Sequence, residues 1–110
     1  MNDKLPPFLQ VVVEKYPDVW DAYSRLGEAC GEAGPLDERT LRLVKLGIAV
    51  GAQLQGAVHS HARRARKLGL SEAELEQVAL LAVTTLGWPA AMAALSWIQD
   101  VLHSEAEAAG

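Results

Sequence analysis

Three histidines, one cysteine and a short run of cations are the residues in this 110-residue chain with obvious chemistry to offer. His61 is the most informative. If its segment is helical, Leu54, Ala57, Val58, His61, Ala65 and Leu68 share one stripe, so His61 points inward. His59, Arg63, Arg66 and Lys67 then lie on the opposite face. An inward histidine has two ordinary uses. It is a core residue satisfied by a hydrogen bond, or it is a general acid or base in an apolar pocket, titrating near neutral pH. Because His59 and His61 face different ways and no carboxylates cluster near them, no metal site is expected. Cys30 has no second cysteine to pair with, so it reads as a small apolar residue on a helix face. The cationic run Arg63-Arg64-Ala65-Arg66-Lys67 reads as a solvated helix face.

The elements that must hold His61 are punctuated clearly. Residues 8–15 form a short apolar segment ended by Tyr16-Pro17. Residues 18–32 carry Val19, Trp20, Tyr23, Leu26 and Cys30 at helical spacing, and Ala33-Gly34-Pro35 stops them. Asp37 is a good N-cap, with Leu36 and Leu41 placed as a hydrophobic staple. The helix from 38 to about 53 is apolar nearly all round, which predicts burial; its Gly47 and Gly51, four apart, would admit a close neighbour. A break over 53–56 precedes a helix over 57–68, closed by Gly69. Ser71 and Glu74 form a capping box that opens a helix through Leu86. Gly87-Trp88-Pro89 interrupts, and Pro89 suits the first turn of a last helix. No strand pattern competes. The expectation is an all-α, single-domain bundle of about six helices: N-terminal helices over 1–35, a core over 36–104 and a frayed tail over 105–110.

Composition narrows the function classes. Net charge is −4 and aromatics are 5%, which argues against a nucleic-acid surface and an anionic membrane. The 50% hydrophobic content exceeds what a thin core needs, hinting at burial between subunits. No signal peptide is visible, and the longest apolar stretch, 46–58, is too short to span a membrane. The expected location is cytoplasmic.

The central residues resemble a known family. His61-Ala62-Arg63-Arg64-Ala65, followed by Gly69-Leu70-Ser71-Glu72-Ala73-Glu74-Leu75, resembles the H-x-R-x-A … G-x-[ST]-x-x-E-[IL] run of carboxymuconolactone decarboxylases and their alkylhydroperoxidase D-like relatives. Leu36 to Val44 resembles the start of the family's core helix hairpin, and Gly87-Trp88-Pro89-Ala90-Ala91 resembles its G-x-P-A-A motif. The likeness covers about residues 36–102. It implies an all-helical fold of the alkylhydroperoxidase D-like type, assembling as dimers, trimers or hexamers.

The resemblance also says what chemistry to look for. The peroxidase branch uses C-x-x-C, a following histidine and a glutamate one helix earlier; the thiols are indispensable to it. The cysteine positions here are Leu54 and Ala57, and the glutamate position is Arg42, so a thiol peroxidase of that type is not expected. His61 occupies the family's site histidine. The decarboxylase branch needs no cofactor: it holds a substrate carboxylate, stabilises a dienolate and delivers a proton to carbon. By that logic His61 is the catalytic acid/base and proton donor. Arg42 would bind the carboxylate with its planar fork, while Gln55 donates a hydrogen bond and Trp88 lines the pocket. The expected function is a cofactor-independent lyase or related enzyme on a small carboxylate or lactone. The alternative is a non-catalytic oligomeric binding or scaffold protein with the same fold.

Overall fold

Prolines open the first two helices of the structure, a computed structural model that describes residues 5–109. Helix α1 spans Pro7–Lys15 and α2 spans Pro17–Glu32, each with proline where the missing N–H costs nothing. Together they make one of two compact units, which divide at Pro35 and Leu36. Neither helix buries a residue fully. The stripe of Val19, Tyr23 and Leu26 is exposed, and the Trp20 and Tyr23 rings lie 5.9 Å apart.

The second unit opens at Asp37, whose side chain accepts a 2.8 Å hydrogen bond from the Thr40 N–H and caps α3, Glu38–Ala52. That bond holds the Asp37 carboxyl below its ordinary pKa. Helix α4 spans Gln55–Leu68 and ends on Gly69 at φ 102°, a left-handed cap suited to glycine. The Ser71–Glu74 capping box opens α5, Glu72–Leu81. A single turn, α6, covers Val83–Leu86, and α7 runs from Trp88 to Ala109. Helix α3 packs on α4 and α5, and α7 packs on α4 and α5. Leu46, Val50, Val58, Leu70, Leu75 and Ile98 are fully enclosed where these helices meet. Each contributes about 1.5–3 kcal/mol by leaving water. Ala62, Ala65, Ala79 and Ala94 are also sealed; small side chains let the helix axes approach.

Among the described residues the chain is helical, with no strand, as the caps and periodicity predict. No helix among them is long and apolar enough to cross a membrane. Local differences have local causes. The break between α3 and α4 is only Gln53-Leu54, because Gln53 adopts φ 56°, ψ 43° and turns the chain at once. Its side-chain amide donates to the carbonyls of Val50 (3.0 Å) and Ala90 (3.1 Å), tying this turn to the start of α7. The helix expected to run from Ser71 through Leu86 divides at Ala82, just before Val83-Thr84-Thr85, three β-branched residues that crowd a helix. The tail expected to fray is helical through Ala109, and Glu105 pairs with Arg66 at 2.9 Å.

Helix α3 is less buried than its all-round apolar sequence predicts. Leu46, Ala49 and Val50 are enclosed, yet Val44 is 44% and Ile48 is 64% exposed, because α4 and α5 cover only part of its circumference. The two α3 glycines do not serve a close approach within the chain. A Cβ on Gly47 would meet Val78 Cγ1 at 3.9 Å, an ordinary contact, and one on Gly51 would meet nothing within 4 Å. Gly51→Ala is therefore expected to stabilise the fold by about 0.5–1 kcal/mol through helix propensity. A thermal melt should rise by a few degrees; a fall would mean that another chain occupies the space beside Gly51.

Candidate functional site

Helix α4 places His61, and α3, which packs on α4, brings Arg42 and Lys45 within electrostatic reach of it. The ring of His61 is half-buried. Its Nδ1 atom is fully buried and has no hydrogen-bond partner. A core histidine kept for structure normally has its nitrogens satisfied, since a buried, unpaired polar atom costs about 1–3 kcal/mol. Burial, and then the positive charges of Lys45, Arg42 and Arg64, pull its pKa down from 6.5 to about 4. At neutral pH the ring is therefore uncharged. It can accept a proton, and it acts as an acid only after it has done so.

Three cations surround this neutral ring closely enough to act on it electrostatically. Arg42 and Lys45 are three apart on α3; His61 and Arg64 are three apart on α4. Arg42 is itself partly buried, and burial together with the charge of Arg64 lowers its pKa, partly offset by Glu38. Two guanidiniums that repel each other beside one carboxylate make a site that gains from an incoming anion. Arg42, Arg64 and Lys67 line a groove of about 270 Å³ with Glu38 and Leu68.

The other two residues expected at the site stand at helix starts. Gln55 is exposed at the first position of α4, and Trp88, 64% exposed, is the first residue of α7. Leu54 and Ala57, at the cysteine positions of the peroxidase branch, are an exposed and a half-buried residue. Cys30 is a free, exposed thiol on α2. Lys45 and Arg64 were missed in the sequence, although their i+3 spacing from Arg42 and His61 carried the signal. Gln53, rather than Gln55, makes the bond that joins helices in the break. Among the described residues no cluster of three or more histidine, cysteine or carboxylate groups could hold a metal ion.

A second, apolar groove of about 520 Å³ runs along the outside of α3, α5 and α6. Val44, Gly47, Gly51, Val78, Leu81 and Leu86 line it.

Comparison with known proteins gives a consistent answer. The family model described as carboxymuconolactone decarboxylase family matches residues 17–100. An uncharacterised protein of Methanocaldococcus jannaschii is 29% identical over 94 residues, covering 84% of this chain and 90% of its own length. A carboxymuconolactone decarboxylase family protein from Legionella pneumophila has a similar crystal structure, with a TM-score of 0.69 and 27% identity over 84% of this chain and 86% of that one. A structure from Burkholderia xenovorans, 24% identical over 94% of this chain and 84% of its own, shares the fold with a TM-score of 0.64.

Proposed function

The chain belongs to the carboxymuconolactone decarboxylase family, and on that premise we propose that it is a cofactor-independent lyase or related enzyme acting on a small carboxylate or lactone, with His61 as its acid/base. The observation that carries this reading is the unpartnered, buried Nδ1 of a half-buried His61. A ring held for structure alone normally has its buried nitrogens paired, so the orphaned atom supports a functional role.

The electrostatics suggest an order of events. A substrate carboxylate settles against Arg42, whose fork matches it, with Arg64 and Lys45 adding positive charge. The incoming negative charge offsets the cations that suppress His61, so the ring becomes more basic once substrate is bound. It then takes up a proton. In a decarboxylation the carbon–carbon bond to the carboxylate breaks, carbon dioxide leaves, and the electron pair stays on the substrate as a dienolate. The His61 imidazolium gives its proton to that carbon and returns to the neutral ring. The cations stabilise the developing oxyanion. Gln55 and Trp88, exposed at helix starts, would serve as outer substrate contacts.

The exposed apolar face of α3, with Val44 and Ile48, and its groove favour a homo-oligomer, whether dimer, trimer or hexamer. The same observation supports the second reading, an oligomeric scaffold without catalysis. Thermal melting in the presence of lactones and small mono- and dicarboxylates separates the two. The enzyme reading expects a saturable upward shift in the wild type that His61→Ala or Arg42→Gln diminishes. A wild type that shifts with no member of the panel would leave the scaffold.

A further inference from the structure

The cationic run that follows His61 does not behave as one solvated face. Arg64 lines the groove beside Arg42, whereas His59, Arg63 and Arg66 share a stripe at i, i+4 and i+7 that lines a cleft against α7. Opposite them, Asp100, Ser104 and Ala108 form a matching stripe on α7, and the two enclose a cleft of about 490 Å³.

Two of the charged groups in this cleft are committed. His59 Nε2 lies 2.9 Å from Asp100 Oδ2. Arg66 donates to Glu105 at 2.9 Å and to the Leu70 carbonyl at 3.0 Å. These pairs brace the upper and lower walls. Arg63 sits between them in sequence and makes no hydrogen bond or ion pair among the described residues. Beside it lies Val101, 6% exposed, which gives the cleft an apolar floor.

We infer that this α4–α7 cleft is a second ligand site, on the face of α4 away from His61, and that it takes a small organic anion with an apolar body. The guanidinium of Arg63 offers its paired N–H donors to a carboxylate or phosphate head. The Val101 and Ala108 wall covers the body of the ligand. Asp100 and Glu105 select against a second negative charge, because an anion extending past Arg63 meets a carboxylate on either side. The site does not depend on the chemistry proposed for His61.

The test is an NMR titration of the full chain, labelled on its amides, with benzoate in one arm and phenyl phosphate in the other. Saturable shifts are expected at residues 59–67 and 100–108 in at least one arm; the arm that binds more tightly identifies the head group. Arg63→Gln, a surface change that leaves both ion pairs in place, should weaken binding about tenfold. Ala108→Glu should weaken it as well, and His61→Ala should leave it unchanged. Shifts that fail to saturate, that persist in Arg63→Gln, or that centre on α3 around Arg42 and Lys45 with none over 100–108 would overturn the assignment.

Discussion

His61→Ala is expected to lower the turnover of an accepted substrate by about 100- to 10,000-fold, the usual contribution of a positioned acid/base. The chain should stay folded and keep its oligomeric state. Truncation removes an imidazole whose buried nitrogen has no partner, so the lost packing is offset by the lost desolvation cost. The substrate's own contacts with Arg42 survive, which places the loss mainly in kcat rather than KM. Arg42→Gln should do the reverse in part: KM rises, and the alkaline limb of the kcat/KM profile, set near pH 4 by the need for a protonated His61, moves to higher pH because one suppressing charge has gone. Equal turnover by wild type and His61→Ala would end the acid/base assignment.

The same histidine makes stability depend on pH in a definite direction. Its folded pKa, about 4, lies below its ordinary value of 6.5. Between these values the unfolded chain binds a proton that the folded chain refuses, so stability rises with pH. The contribution is fully present above pH 6.5 and is lost as pH falls toward 4. Half the ring is near water, so the loss is on the order of 1–2 kcal/mol rather than the full value of the shift. Urea melts of wild type at pH 7 and pH 4.5 should differ by more than those of His61→Ala.

Leu46→Ala carries the largest expected loss of stability, about 3 kcal/mol. Leu46 is sealed at 0% exposure where α3 meets its neighbours, and the large side chains around it cannot collapse freely into the space it leaves. Ile48→Ala, two residues along the same helix, removes a side chain that is 64% exposed. It should cost less than about 0.5 kcal/mol if nothing covers it. Urea unfolding of the two variants across a range of protein concentrations decides the point. An Ile48→Ala cost that approaches that of Leu46→Ala, and that grows with concentration, would show a second copy seated on the outer face of α3.

Much of this architecture was legible because it is written in local chemistry. Asp37, Ser71 with Glu74, Gly69 and the prolines satisfy or terminate helix ends within four residues of themselves, so their meaning survives without knowledge of the fold. The division at Ala82 was not legible. Nothing there is a strong breaker, and only the summed reluctance of Val83-Thr84-Thr85 tips the balance. The exposure of Val44 and Ile48 was misread because apolar sequence records that a face is to be covered, and not by which chain. The site divides in the same way. The stripe of α4 gave the direction of His61, but what holds it neutral is burial first and then cations from both α3 and α4. Their convergence depends on how the hairpin closes at Gln53, a residue whose left-handed backbone no propensity argument would favour.

Every fully enclosed side chain in the described core lies between Leu46 and Leu102, and α1 and α2 contribute none of them. Amide hydrogen exchange would register this as two protection classes. Amides of α1 and α2 would open locally, at little cost, while those of α3, α4, α5 and α7 would exchange only through global unfolding. A cut at the exposed Gly34–Pro35 junction would then remove a third of the chain and leave the remaining fragment with its cooperative transition intact.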